Sequence, residues 1–442
     1  MGVVQYVVDL GPTVVLPILI CLFGLLLRQK LGSAIRSGIT VGIGFIGINL
    51  VIDLLVGNLG PAAQAMVNNL GVNLSVIDVG WPATSAIAFG STVGALAIPI
   101  GLAVNVGMLV LGLTKTLDID LWNFWHIAFT GALVAILTDS FWMGILTAVV
   151  HMMILLILAD LTAKHVQDFY GYPNISFPHG TSAPYYLIAL PMNKLFDAIP
   201  VVRDWKANPE SIQKRFGVLG ESTIIGLALG LVIGVLAGYD VQQILQLGIS
   251  TAAVMLLLPR MVSVLMEGLM PVSEAAGEFI KKRFPGREFY IGLDSAIAVG
   301  HPSTIASSLL LVPIVLALAV MLPGNRVLPF GDLATIPFIV CLMVPIFRGN
   351  VFRTVVTGAV AIGIGLYIAT WISPMFTTAA ANAKFEFPEN ATTISSLVDG
   401  ANPMTWILLM VSKLGALGMI VFGILIIAWA YYMKVRRAQP VK

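Results

Sequence analysis

The chain has 442 residues, 58% hydrophobic and only 10% charged, with a formal net charge of +2. Soluble domains carry about 25% charged residues, so the composition excludes a soluble enzyme, a disordered chain and a nucleic-acid binder, which would need a basic surface. The two cysteines, Cys21 and Cys341, stand in apolar runs, excluding a disulfide framework or a CxxC zinc site.

The pattern is that of an all-α integral membrane protein. A spanning helix needs about 20 mostly apolar residues. Between charges, such stretches run Leu10–Leu27, Ser37–Val56, Val79–Thr114, Leu121–Thr138 and Ser140–Ala159. A polar stretch follows from Asp160 to Gly217. Then come Ser222–Tyr239, Val241–Pro259, Ser295–Asn325, Leu333–Phe347, Thr354–Pro374 and Met404–Met433. This predicts about eleven transmembrane helices. No basic segment precedes the first run, so it is expected to be a true span and not a signal peptide. With the N-terminus outside, all but three of the 24 Lys and Arg residues fall on the cytoplasmic side, as the positive-inside rule asks.

A shift of about 210 residues makes the chain resemble itself. Ser37-Gly-Ile-Thr40 matches Leu247-Gly-Ile-Ser250, and Leu59-Gly-Pro61 matches Leu269-Met-Pro271. Ser85-Ala-Ile-Ala-Phe-Gly90 matches Ser295-Ala-Ile-Ala-Val-Gly300, and Ile98-Pro-Ile100 matches Val312-Pro-Ile314. Asp120-Leu121 matches Asp332-Leu333, and Asp139-Ser-Phe141 matches Asn350-Val-Phe352. Ordered matches at a nearly constant offset imply a duplication of about five spans. An odd number turns the second copy upside down, and inverted repeats place a substrate site near the midplane. The expected division is a first repeat over 1–160, a cytoplasmic-side linker over 161–217, and a second repeat over 218–374. Residues 375–442 then form an external loop, a final helix and a basic tail.

Val79–Thr114 is uncharged over 36 residues. As one helix it would be about 54 Å long, against a hydrocarbon core of about 30 Å. Both this segment and Ser295–Asn325 open with helix-breaking, hydroxyl-bearing residues: Gly80-Trp-Pro-Ala-Thr-Ser85 and Gly300-His-Pro-Ser-Thr304. Unpaired backbone is tolerated at membrane depth only where protein or a watery cavity satisfies it. Two re-entrant hairpins are therefore expected, at about 79–95 and 292–306, lining the cavity with Thr84, Ser85 and Ser295. Asn58–Ile77 and Gly268–Pro285 are expected as amphipathic helices along the interface. The long linker is expected to be functional; it holds Ile175-Ser-Phe-Pro-His-Gly-Thr-Ser-Ala-Pro184.

Ionisable groups inside spans default to function. His126, Asp139, His151, Asp294, His301 and Lys413 qualify, and His179 joins them from the linker. No metal-ligand spacing, Ser-His-Asp arrangement or P-loop is legible, so no metal or cofactor is predicted. Asp294 opens the second hairpin, where a carboxylate accepting hydroxyl hydrogen bonds suits a polyol; the competing role is a helix N-cap. His126, His179 and His301 are the further substrate-binding candidates. His151 and Asp139 are taken as structural, and Lys413 as snorkelling or paired. The glycines 226, 230, 234 and 238 form a stripe expected to serve internal packing.

Tyr6-Val-Val-Asp-Leu-Gly-Pro-Thr13, Asp78-Val-Gly-Trp-Pro82, Trp122-Asn-Phe-Trp-His126, Pro178-His-Gly-Thr-Ser182, Gly238-Tyr-Asp240, Ala252–Arg260, Gly292-Leu-Asp294 and Leu328–Ile336 together carry a resemblance over nearly the whole chain. The chain resembles the galactitol-type IIC components of the bacterial phosphoenolpyruvate-dependent sugar phosphotransferase system, which look related to the ascorbate IIC transporters. The resemblance implies an inner-membrane homodimer with an elevator motion, importing a polyol or sugar. It also implies separate partners, a IIB protein with a phosphocysteine and a IIA protein with a phosphohistidine. Phospho-IIB would dock on the basic face around Lys281–Arg287 and Arg348–Arg353, and Asp294 or His179 would take the substrate proton as catalytic groups. In the ascorbate relatives the positions matching His126, His179 and Asp294 look like substrate contacts. A glutamine that follows the linker histidine there is Gly180 here, which fits a different ligand such as a linear polyol. The competing function is an ion-coupled secondary transporter using His and Asp as a proton relay.

Overall fold

The computed structural model describes residues 12–70, 74–205, 207, 209, 222–283, 288–329, 331–385 and 392–438. Among these, five helical stretches are long and apolar enough to cross a membrane: Gly94–Leu111, Phe141–Tyr170, Pro302–Met321, Val351–Asn382 and Gly415–Val435.

Each half of the chain opens the same way. A 15-residue helix α1 (Pro12–Leu26) leads into α2 (Leu31–Leu70, 40 residues). In the second half the pair is α9 (Ser222–Leu236) and α10 (Val241–Arg283, 43 residues). The expected interfacial helices at 58–77 and 268–285 are not separate elements. Each span runs on without a break into the segment after it, as far as Leu70 and Arg283. Gly226, Gly230 and Gly234 of the stripe lie on α9 against α10, where a Cβ at Gly230 would stand 2.7 Å from the Leu247 carbonyl oxygen and 2.8 Å from the Gly248 Cα; Gly238 follows the helix with a φ of 69° and faces Asn69 of α2. The stripe is therefore filled from within the chain.

The rest of the first half runs β1 (Val76–Asp78), α3 (Gly80–Gly90), α4 (Ala97–Val110), β2 (Thr116–Asp118), α5 (Trp125–Thr138), α6 (Phe141–Tyr170), β3 (Ile175–Ser176), α7 (Ala183–Ala198) and α8 (Pro200–Arg203). The second half runs β4 (Tyr290–Gly292), α11 (Ala296–Val299), α12 (Pro302–Met321), β5 (Val327–Leu328), α13 (Ile336–Val340), α14 (Val351–Asn382), β6 (Ile394–Ser395), α15 (Pro403–Ser412) and α16 (Gly415–Ala438). Local chemistry sets several of these ends. The Ser140 and Asn350 side chains accept from the backbone N–H three residues on, capping α6 and α14. Pro302 at the first position of α12 supplies a φ ready for the helix.

The chain is mostly helical, with one addition that an all-α reading lacks. Six short strands form two parallel three-stranded sheets. One has the order β5–β1–β6, with Val76 opposite Val327 and Asp78 opposite Ser395. The other has the order β2–β4–β3, with Asp118 opposite Gly292 and Ser176 also opposite Gly292. In each, the central strand comes from one half of the chain and both flanking strands from the other. The ladders supply partners for irregular backbone that lipid could not satisfy.

The segments expected as a linker and an external loop are largely built into this core. Residues 175–186 and 394–402 are almost entirely buried, and they carry β3, the start of α7, and β6. The end of the linker (210–221) and residues 386–391 of the loop lie outside the described residues.

Candidate functional site

The sheets position the polar groups. β3 and β4 lie side by side, and the Leu293 N–H donates to the Ser176 carbonyl at 3.0 Å. The residues that follow the two strands, His179 and Asp294, are thereby brought face to face, with Nε2 of His179 3.4 Å from Oδ1 of Asp294. The same carboxylate oxygen accepts the Ala296 N–H at 2.9 Å. Asp294 thus closes a tight turn just before α11, whose N-cap is Ser295, and faces the imidazole at once. It is the more open of the two, at 17% side-chain exposure against 6%.

Hydroxyls and a thiol surround the pair. Ser182 Oγ lies 2.7 Å from Ser295 Oγ and 3.4 Å from His179 Nδ1. The Cys341 thiol donates to Ser182 Oγ at 3.4 Å. On the other side, the His126 ring meets the His179 ring edge-on, with centroids 5.0 Å apart. His126 Nδ1 is 2.7 Å from Asp399 Oδ2, and both side chains are fully buried. Asn402 donates to the Gly180 carbonyl at 2.9 Å, tying the loop after β6 to the loop after β3. Two more buried carboxylates stand at the end of β2: Asp118 accepts the Asp120 N–H at 3.0 Å, and Asp120 accepts from Asn123.

Four of the predicted site residues are thus gathered: His126, His179, Asp294 and Ser295. The others stand elsewhere. His301 caps α12, accepting the Ser303 N–H at 3.2 Å. Its ring packs on Phe169 and Tyr170, with centroids 4.7 and 5.5 Å away. Thr84 and Ser85 are buried on α3; the Thr84 hydroxyl donates to the Gly80 carbonyl one turn back. Beside them lies a second carboxylate junction. Asp78 Oδ2 accepts the Asp332 N–H at 2.9 Å. Asp332 Oδ1 accepts the Trp81 N–H at 2.7 Å, and its Oδ2 accepts the Ser396 hydroxyl at 2.6 Å and the Val398 N–H at 3.2 Å. This junction sews α3 to the second half.

Of the remaining ionisable groups, His151 is buried on α6. Asp139 takes a left-handed φ of 49° in the turn after α5. Lys413 sits over the Trp371 ring, 4.7 Å from its centroid. Of the expected basic face, the Lys281–Arg287 side chains lie outside the described residues. Arg348 is exposed. Arg353 is not an open cation: it donates at 2.7 Å to both Asn193 and Asp197 and to the Arg203 carbonyl.

Sequence reasoning missed Asp399, Asn402, Asp118, Asp120, Ser182 and Cys341 as site residues. For Asp399 a signal existed. Ile394-Ser395, Asp399-Gly400 and Asn402-Pro403 echo Ile175-Ser176, His179-Gly180 and Ser182 to Pro184, at an offset that has drifted to about 220.

The ensemble holds carboxylates and imidazole nitrogens that accept hydrogen bonds, and hydroxyls that both donate and accept. It suits an uncharged ligand dense in hydroxyls. A family model described as "PTS system sugar-specific permease component" matches residues 6–390. A protein named "PTS system galactitol-specific EIIC component" from Escherichia coli (strain K12) is 42% identical over 438 residues, covering 99% of this chain and 96% of that protein. Its counterpart from Escherichia coli O157:H7 gives the same figures.

Proposed function

Since this chain belongs to the family of PTS system sugar-specific permease components, we propose that it imports galactitol, or a hexitol close to it, while a separate phospho-IIB protein phosphorylates the substrate. The observation that carries this reading is the meeting of His126, His179, Asp294 and Asp399, from four separate segments, around buried hydroxyls. Asp294 and the imidazoles read the hydroxyls of the polyol. As the terminal hydroxyl attacks phosphorus, Asp294 or His179 takes its proton. The charge gained keeps the product inside.

The architecture of this reading is an inverted repeat of about eleven spans in the bacterial inner membrane, N-terminus outside, working as a homodimer by an elevator motion. The repeats cover 1–160 and 218–374, each continued by a matching segment, 161–217 and 375–442. The exchange of strands between halves supports it, as does the repeated order of a short helix before a very long one. His301, Thr84 and Ser85 belong to the wider lining of the path. Phospho-IIB docks at the cytoplasmic ends, near Lys281–Arg287 and Arg348.

The test uses membrane vesicles containing the full chain, with and without phospho-IIB. Labelled galactitol should accumulate as its phosphate only with phospho-IIB present, and Asp294→Asn should abolish it. Full uptake and phosphorylation by D294N would sink the role given to this carboxylate. Accumulation driven by a pH gradient without IIB would establish the ion-coupled carrier instead.

A further inference from the structure

The His126–Asp399 pair is incompletely satisfied. Oδ2 of Asp399 and Nδ1 of His126 face each other at 2.7 Å. The remaining polar atoms of the two side chains, His126 Nε2 and Asp399 Oδ1, are buried and have no hydrogen-bond partner among the described residues. Buried polar atoms are nearly always paired, so two orphan atoms on one dyad point to something that arrives from outside. Which nitrogen of a neutral imidazole carries the proton is set by the contact that the other nitrogen makes. With Nδ1–H donating to the carboxylate, Nε2 keeps a lone pair. Both orphan atoms are then acceptors, and their complement is a ligand that donates hydroxyls.

We infer that Asp399 is a positioning residue: it fixes His126 in the Nδ1–H form, so that His126 Nε2 and Asp399 Oδ1 accept hydrogen bonds from hydroxyls of the polyol. This rests on the substrate class proposed above. The other half of the chain supplies a natural control. By the offset that pairs Leu121 with Leu333, Phe338 stands where His126 stands. His179, the counterpart of Asp399, lies stacked on Phe338 at 5.8 Å with the planes 24° apart. A phenyl ring has no tautomer to fix, and no carboxylate occupies the orienting position there. The carboxylate occurs where the facing ring is an imidazole.

The experiment places the full chain in lipid nanodiscs with ring-15N-histidine. The five histidines are few enough for the His126 signals to be assigned by their loss in His126→Gln. Wild type should show a protonated Nδ1 and an unprotonated Nε2, and the Nε2 resonance should move on adding galactitol. Asp399→Leu should scramble the tautomer and weaken galactitol binding about tenfold or more, the size of one lost hydrogen bond to a buried partner. Asp399→Asn, whose amide oxygen still accepts from Nδ1–H, should hold the tautomer and lose only the contact made by Oδ1, where its NH2 now stands, a loss of about two- to tenfold. A wild-type spectrum with the proton on Nε2 overturns the inference, and so does D399L with unchanged tautomer and affinity. If D399L does not fold, the wild-type spectrum decides alone. An Nδ1–H form in a wild type that binds no hexitol upholds the orienting contact and overturns the substrate class.

Discussion

Gly180→Ala is the sharpest test of how the site is packed. A Cβ at this position would stand 2.4 Å from His126 Cγ, 2.5 Å from its Cβ and 2.8 Å from its Cδ2. Carbon atoms in good contact sit about 3.5–4.0 Å apart, so the ring or the loop must retreat by about 1 Å. Neither has room. The loop is held by the Asn402 hydrogen bond to the Gly180 carbonyl. The ring is wedged between Trp125, 3.9 Å away between centroids, and His179, and it is fully buried. A retreat of that size would carry Nδ1 beyond hydrogen-bond range of Asp399. Overpacking of this kind costs about 1–3 kcal/mol, and the lost contact to a carboxylate adds about 1.5 kcal/mol or more. Galactitol affinity should fall about ten- to hundredfold, with a lower unfolding temperature. Binding by titration calorimetry and thermal unfolding of the purified protein measure both. Gly107→Ala is the control, since nothing lies within 4 Å of that position. If G180A binds and melts like G107A, the packing argument is refuted.

Arg353→Met keeps the aliphatic stem and removes the charged head that ties α14 to α7 and to the Arg203 carbonyl. Because Asp197 is 50% exposed, the loss should be modest, about 1–3 kcal/mol. It should appear as faster proteolysis around residues 199–205, and unchanged cleavage there would argue against the tie. Asp332→Leu removes the acceptor for the Trp81 and Val398 N–H groups and the Ser396 hydroxyl. At about 1–3 kcal/mol for each orphaned donor, no monodisperse peak should survive size-exclusion chromatography. Asp332→Asn, which keeps one acceptor oxygen, should fold with a lowered melting temperature; a D332L peak like wild type would show the junction to be dispensable.

How much was legible follows from the length scale of each feature. Spans announce themselves over about 20 residues, so α6, α12 and α14 stand close to where composition puts them. The strands are two or three residues long, too short for any alternation to accumulate. Their partners lie 100 to 250 residues away or more, and nothing local encodes that pairing. His179 was legible because a histidine beside Gly180 and Pro178 is conspicuous in an apolar chain. Asp399 was not, because it follows Glu386 and Glu389 in a polar stretch of the sequence and looks like a solvated charge. The self-resemblance of the sequence carried the signal: Ile394-Ser395 and Gly400 match Ile175-Ser176 and Gly180. The offset drifts there by about ten residues from the value that fits the first spans. A duplicated chain keeps its register where spans pack and loses it where loops gain or lose residues, since lipid fixes the length of a helix but not of a turn. The polar groups sit just beyond those turns. Alignment at a single offset therefore recovers the scaffold and passes over the site.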